Sequence, residues 1–160
     1  MTSEIDDIDA KILKLVQSDA SLSVADIATK VGLSSSPCWR RIKRLEETGI
    51  IACQVTILDR ELLGLNFEVY VAVKLDRPTR SNLRSFEAAV KEFPEVLGCA
   101  TVTGAVDYVL RIVTTDMHTY DDFLRDQILS MDLVQTAVSR IVIRSVKDTT
   151  DLPLHLIAPV

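Results

Sequence analysis

The chain has 160 residues, 48% of them hydrophobic and 26% charged, which suits one domain or two small ones with buried cores and excludes disorder as the default reading. Its net charge of -5 excludes a protein that coats nucleic acid indiscriminately, because such binding runs on a broad basic surface; any DNA contact must come from a local patch. Short apolar runs and an opening that carries Glu4, Asp6, Asp7 and Asp9 point to a soluble, unexported protein with no membrane span, and three separated cysteines, Cys38, Cys53 and Cys99, fit a reducing cytoplasm.

Ile5, Ile8, Ile12, Leu15 and Val16 recur at helical spacing, with Asp6 and Asp9 near the start, where carboxylates complement exposed N–H groups; this predicts an amphipathic helix to about Gln17. Ser23-Val24-Ala25-Asp26 has the serine-x-x-acid form of a second helix start, and that helix stops at Gly32. Ser34 is placed to cap a third helix, with Pro37 tolerated in its first turn, running to Thr48 before Gly49. Cys38, Ile42 and Leu45 turn inward on it, so Arg40, Arg41, Lys43 and Arg44 project largely outward. Ile50 to Leu58 is β-branched and apolar enough for a strand. Three helices plus this strand outline a winged helix-turn-helix domain over residues 1–64.

From 65 to 160 the pattern changes. Phe67, Val69, Val71, Val73 and Leu75 alternate with Glu68, Tyr70, Ala72 and Lys74 as a strand with one buried face. Leu83, Phe86, Ala89, Val90 and Phe93 form a helix, Val96–Thr103 and Asp107–Thr114 two strands about a Gly104 turn, Tyr120 to Ile128 another helix, and Val134–Val146 a last strand. The order is βαββαβ, so the class is α+β with a ferredoxin-like second domain. Helices on one side of such a sheet leave the other face to solvent or to a second subunit, and the apolar strands favour a subunit.

Four cations on one short helix suit a solvated surface as well as a DNA reader. Two short helices joined at Gly32-Leu33, the second opening on Ser34, Ser35 and Ser36, tip the reading toward double-stranded DNA. Trp39 is expected to pack between the helices and the wing, and Cys38, on the apolar face, to act as a small hydrophobe rather than a redox thiol. His118 and His155 lack companions at ligand spacing, so no metal is expected, and no catalytic constellation points to an enzyme. Thr101 and Thr103, the backbone at Gly104 and the Asp107 carboxylate suit the two charged ends of an amino acid, though from spacing alone a plain hairpin turn is the better reading.

Ile8-Asp9 with Ile12-Leu13, Gly32-Leu33-Ser34, and the run from Arg41 to Ile51 together resemble the Lrp/AsnC, or feast/famine, family of transcription regulators. Thr103-Gly104-Ala105-Val106-Asp107-Tyr108 and the ending Val146-Lys147-Asp148 with Leu152-Pro153-Leu154 resemble its regulatory domain. The resemblance implies dimers paired through their sheets and associated further into tetramers or octamers. It also implies a free amino acid as effector, with no other cofactor, bound between subunits at Thr103, Gly104, Ala105, Val106 and Asp107, with Thr136 and Ser139 as neighbours. Where the family often carries a polar residue and then an aromatic between this glycine and aspartate, the chain has Ala105 and Val106, a smaller and apolar wall.

Overall fold

In a computed structural model, residues 5–157 are described, and they form two compact units: 5–57 together with 147–157, and 58–146. The first unit holds helices α1 (Asp7–Ser18), α2 (Val24–Val31) and α3 (Ser35–Glu47). α1 begins with a capping box: the Asp9 N–H donates to Asp6 Oδ1 at 2.8 Å, and the Asp6 N–H donates back to Asp9 Oδ2 at 3.3 Å. Ser23 and Asp26 do the same for α2. Gly32 closes α2 at φ 73°, a left-handed conformation that costs a residue without Cβ nothing, and this sets the sharp turn into α3. Ser34 occupies the N-cap position of α3 but makes no capping bond with its side chain, contrary to the expectation from sequence.

Ile12, Leu13, Ile27, Ala28, Cys38 and Leu45 fill the core of this unit, so the apolar stripes read from the sequence meet as expected. Leu154 completes that core. The Gln17 side-chain amide clasps the Leu152 backbone in both directions, Nε2 donating to the carbonyl at 3.2 Å and the Leu152 N–H donating to Oε1 at 3.1 Å. The segment 147–157, assigned from sequence to the second domain, therefore packs against α1, because a polar tail with one deeply set leucine gains most by burying it. Ile50–Leu58, expected as a strand, joins no ladder. Its stretch from Ala52 to Leu58 is exposed, since a strand needs a partner for its N–H and C=O groups and the described residues offer none.

The second unit is an antiparallel sheet with spatial order β2-β3-β1-β4, built from β1 (Phe67–Leu75), β2 (Val96–Thr101), β3 (Tyr108–Thr114) and β4 (Val134–Ile141). Helix α4 (Arg80–Lys91) and helix α5 (Met117–Phe123), continued by π-type turns over Leu124–Leu129, cover one face. The register sets Val69 opposite Ile112, Val71 opposite Leu110 and Val73 opposite Tyr108, all buried against Phe86, Val90, Tyr120, Phe123 and Ile128. Each such aliphatic burial stabilises the fold by about 1.5–3 kcal/mol. The last strand ends at Ile141, short of the expected Val146.

The uncovered face presents Glu68, Tyr70, Ala72 and Lys74 of β1, Val109, Arg111 and Val113 of β3, and Thr136, Val138 and Arg140 of β4. Glu68 is buried there, its carboxylate taken by Arg111 Nε at 2.6 Å and Arg60 Nη2 at 3.1 Å. Among the described residues no helix is long and apolar enough to cross a membrane.

Candidate nucleic-acid interface and effector turn

The α3 residues divide by angle. About 100° separates successive side chains on a helix, so the stripe of Cys38, Ile42 and Leu45 leaves Ser35, Ser36, Trp39, Arg40 and Lys43 on the solvent side. Ser34, Ser35 and Ser36 are exposed at the amino-terminal end, no acidic residue stands in the first turn, and the free N–H groups there suit a phosphate oxygen. Pro37, Arg40, Arg41 and Arg44 line a shallow groove along one edge.

The four cations are not equivalent. Arg41 Nη1 donates to Asp6 Oδ2 at 2.7 Å and to Asp9 Oδ1 at 2.8 Å, and Arg44 Nη2 donates to Asp9 Oδ2. Asp9 is 0% exposed, so these two arginines satisfy a carboxylate that burial would otherwise make costly. The Asp6 carboxylate ties raise the Arg41 guanidinium pKa, the hydrogen bond to Asp6 first and that to Asp9 next. The Asp6 carboxyl is held below its ordinary range, mainly by the Asp9 N–H and then by Arg41. Lys43 Nζ pairs with Glu46 at 2.6 Å within the helix. Arg40 is exposed and has no ion pair among the described residues. Arg41 and Arg44 are thus brackets that fix α3 on α1, with their outer edges still open to solvent.

The sequence places Asp9 near the start of α1, where a carboxylate complements exposed N–H groups. Its position three residues before Ile12 and four before Leu13 placed a lone carboxylate on an apolar stripe, which is the signal that a cation had to meet it. Trp39 corrects another expectation. Its side chain is 51% exposed, because it lies one residue off the apolar stripe and the segment expected to form the wing builds no ladder against it. Cys38 is buried, and desolvation pushes its thiol up, as suits a core residue.

The β2–β3 turn is tied to the end of β1. The Val102 N–H donates to the Asp107 carbonyl at 3.0 Å, the Asp107 N–H to the Val73 carbonyl at 2.9 Å, and the Leu75 N–H to Asp107 Oδ2 at 2.8 Å. One carboxylate oxygen of Asp107 thus holds the sheet end together. Thr103, Gly104 and Ala105 are exposed above it, Val106 is half-buried, and Gly104 sits at φ 118°, a value that side chains with a Cβ rarely adopt. Thr136 lies opposite Lys74 at this same end of the sheet. Ser139 does not join them: three residues along β4 it faces the helices, opposite Val71, and its hydroxyl bonds the Tyr120 phenol. Among the described residues no buried side-chain polar atom lacks a hydrogen-bond partner.

Two family profiles match the chain, one described as Winged helix-turn-helix DNA-binding over residues 5–52 and one as Lrp/AsnC ligand binding domain over residues 68–152. The DNA-binding transcriptional activator DecR of Escherichia coli is 37% identical over 94% of this chain and 99% of its own length. A transcriptional regulator from Neisseria meningitidis solved as a complex with L-Met superimposes with a TM-score of 0.90 at 38% identity, covering 94% of this chain and 98% of that one. An AsnC family transcriptional regulator from Agrobacterium tumefaciens does so with a TM-score of 0.90 at 39% identity and the same coverage.

Proposed function

The chain belongs to the Lrp/AsnC family of DNA-binding transcription regulators, and from that premise we propose that it reads a partly palindromic operator with α3 and answers to a free amino acid at the Asp107 turn. The observation that carries the DNA reading is the composition of the free α3 face: three hydroxyls, an Arg40 with no ion pair among the described residues and no first-turn carboxylate, on a chain whose net charge is -5. In the major groove Ser34, Ser35 and Ser36 hold phosphates, Arg40 and Lys43 reach outward, and the outer N–H groups of Arg41 and Arg44 add backbone contacts while Asp9 fixes their direction.

The effector is an amino acid whose ammonium meets the second oxygen of Asp107 and whose carboxylate meets the Thr103 hydroxyl and the backbone at Gly104. Ala105 and Val106 line its side chain, and Thr136 stands beside it. Ser139 acts from the helix side through Tyr120. The L-Met bound by the Neisseria relative supports this class of ligand. The open sheet faces of two chains pair into a dimer, since Tyr70 and Val138 lie exposed on that face beside the half-buried Val109, and dimers associate further into tetramers or octamers in the cytoplasm. Because Asp107 also ties β1 to the turn, ligand binding biases the sheet end, and it shifts assembly only by its differential affinity for the two states. Asp107→Asn tests the effector half: the variant is expected to bind operator normally and to lose its amino-acid response, and a preserved response takes Asp107 out of the site.

A further inference from the structure

Trp39 holds its indole exposed on α3. Trp39 is the single tryptophan of the chain, lies 51% exposed on the face that carries Ser36, Arg40 and Lys43, and has no aromatic partner among the described residues. Its helical neighbours on the outer side are Ser35, Ser36 and Lys43, all polar and exposed. A large flat apolar side chain set among hydroxyls and cations does not match a protein groove, which would ask for further apolar residues around it. It does match the floor of the major groove. There the phosphates call for the cations and hydroxyls, and the apolar group on a base edge is the thymine C5-methyl.

Resting on the reading that α3 enters duplex DNA, we infer that Trp39 is a specificity-determining residue that packs its exposed face on a thymine methyl within the operator. Arg40, adjacent and without an ion pair among the described residues, supplies the charge that seats it. Sequence preference at that base pair comes from apolar contact, and the indole adds little to non-specific affinity, which the cations carry.

The test uses the full chain and a duplex selected by it from a randomised pool. Each thymine of the selected site is then exchanged for deoxyuridine, which removes one methyl and leaves the pairing intact. One position in each half-site is expected to lose about fourfold in affinity, the weight of one buried methyl. Trp39→Ala, whose fold is checked by circular dichroism, is expected to bind thymine and deoxyuridine duplexes alike while keeping the salt dependence of wild-type non-specific binding. The emission of Trp39 shifts to the blue on the thymine duplex and less on the deoxyuridine one. A pool that yields no preferred duplex removes the DNA-reading assignment and this one with it. A preferred duplex indifferent to every exchange, or a Trp39→Ala variant that keeps the methyl effect or changes oligomeric mass, overturns the tryptophan assignment alone.

Discussion

Removing the Asp9 carboxylate by Asp9→Ala perturbs the helical unit at a fully buried charge. Breaking a buried pair by deleting one partner costs about 3–5 kcal/mol when the other charge stays buried, and loss of a capping contact adds about 1 kcal/mol. Here the guanidiniums left behind are 28% exposed for Arg41 and 44% for Arg44, and Arg41 keeps Asp6, so both turn to water and the loss falls to about 2–3 kcal/mol. Trp39, alone of its kind and placed in this unit, lets fluorescence follow urea unfolding of the helical unit in the full chain, independently of the sheet. A double-mutant cycle with Arg41→Ala isolates the pair and is expected to return a coupling of about 1–2 kcal/mol, the Arg41→Ala variant losing both stability and operator affinity. Asp9→Ala within about 0.5 kcal/mol of wild type, or a coupling near zero, would refute the bracket between α1 and α3.

Arg40→Ala is expected to leave stability within about 0.5 kcal/mol while lowering the slope of log affinity against log salt by about 1, measured by anisotropy over a salt series. Leu154→Ala, removing the tail's one core side chain, is expected to destabilise the helical unit by about 2 kcal/mol on tryptophan-monitored unfolding; no loss would detach the tail from that core. Burial, with the Tyr108 hydroxyl donating to Glu87 at 2.9 Å, pushes the Tyr108 phenol to about 12. Its neutral form is the one the fold favours, so this contribution is complete below the ordinary tyrosine value near 10 and is lost as pH rises toward 12. Phenolate absorbance in the folded protein is expected to show one group titrating at the top of that window, and Glu87→Gln to bring it down.

The helices and the sheet were legible in the sequence because period 3.6 and period 2 are local properties: the stripes of α1, α2 and α3 and the alternation of β1 each point at a core that is there. What stayed hidden depends on distant partners. The spacing on α3 says that Arg41 and Arg44 point outward, but not that Asp9, 32 and 35 residues earlier, waits beneath them. Ile50–Leu58 has a strand's composition and no strand beside it, and the expectation that Trp39 packs under a wing fell with it. The turn from Thr103 to Asp107 was visible as a hairpin with a carboxylate, while its tie to the Leu75 N–H needed the register. Thr136 and Ser139, grouped by resemblance, stand on opposite faces of β4, as an odd separation along a strand requires.

The most direct test of the central claim is anisotropy of the full chain on the duplex upstream of its own gene, at low and at higher salt, with each proteinogenic amino acid added in turn. The expected result is sequence-specific binding that weakens with salt, is reduced in Arg40→Ala, and is altered by at least one amino acid in wild type but not in Asp107→Asn. Absence of binding at low salt, or binding that no amino acid alters, would contradict it.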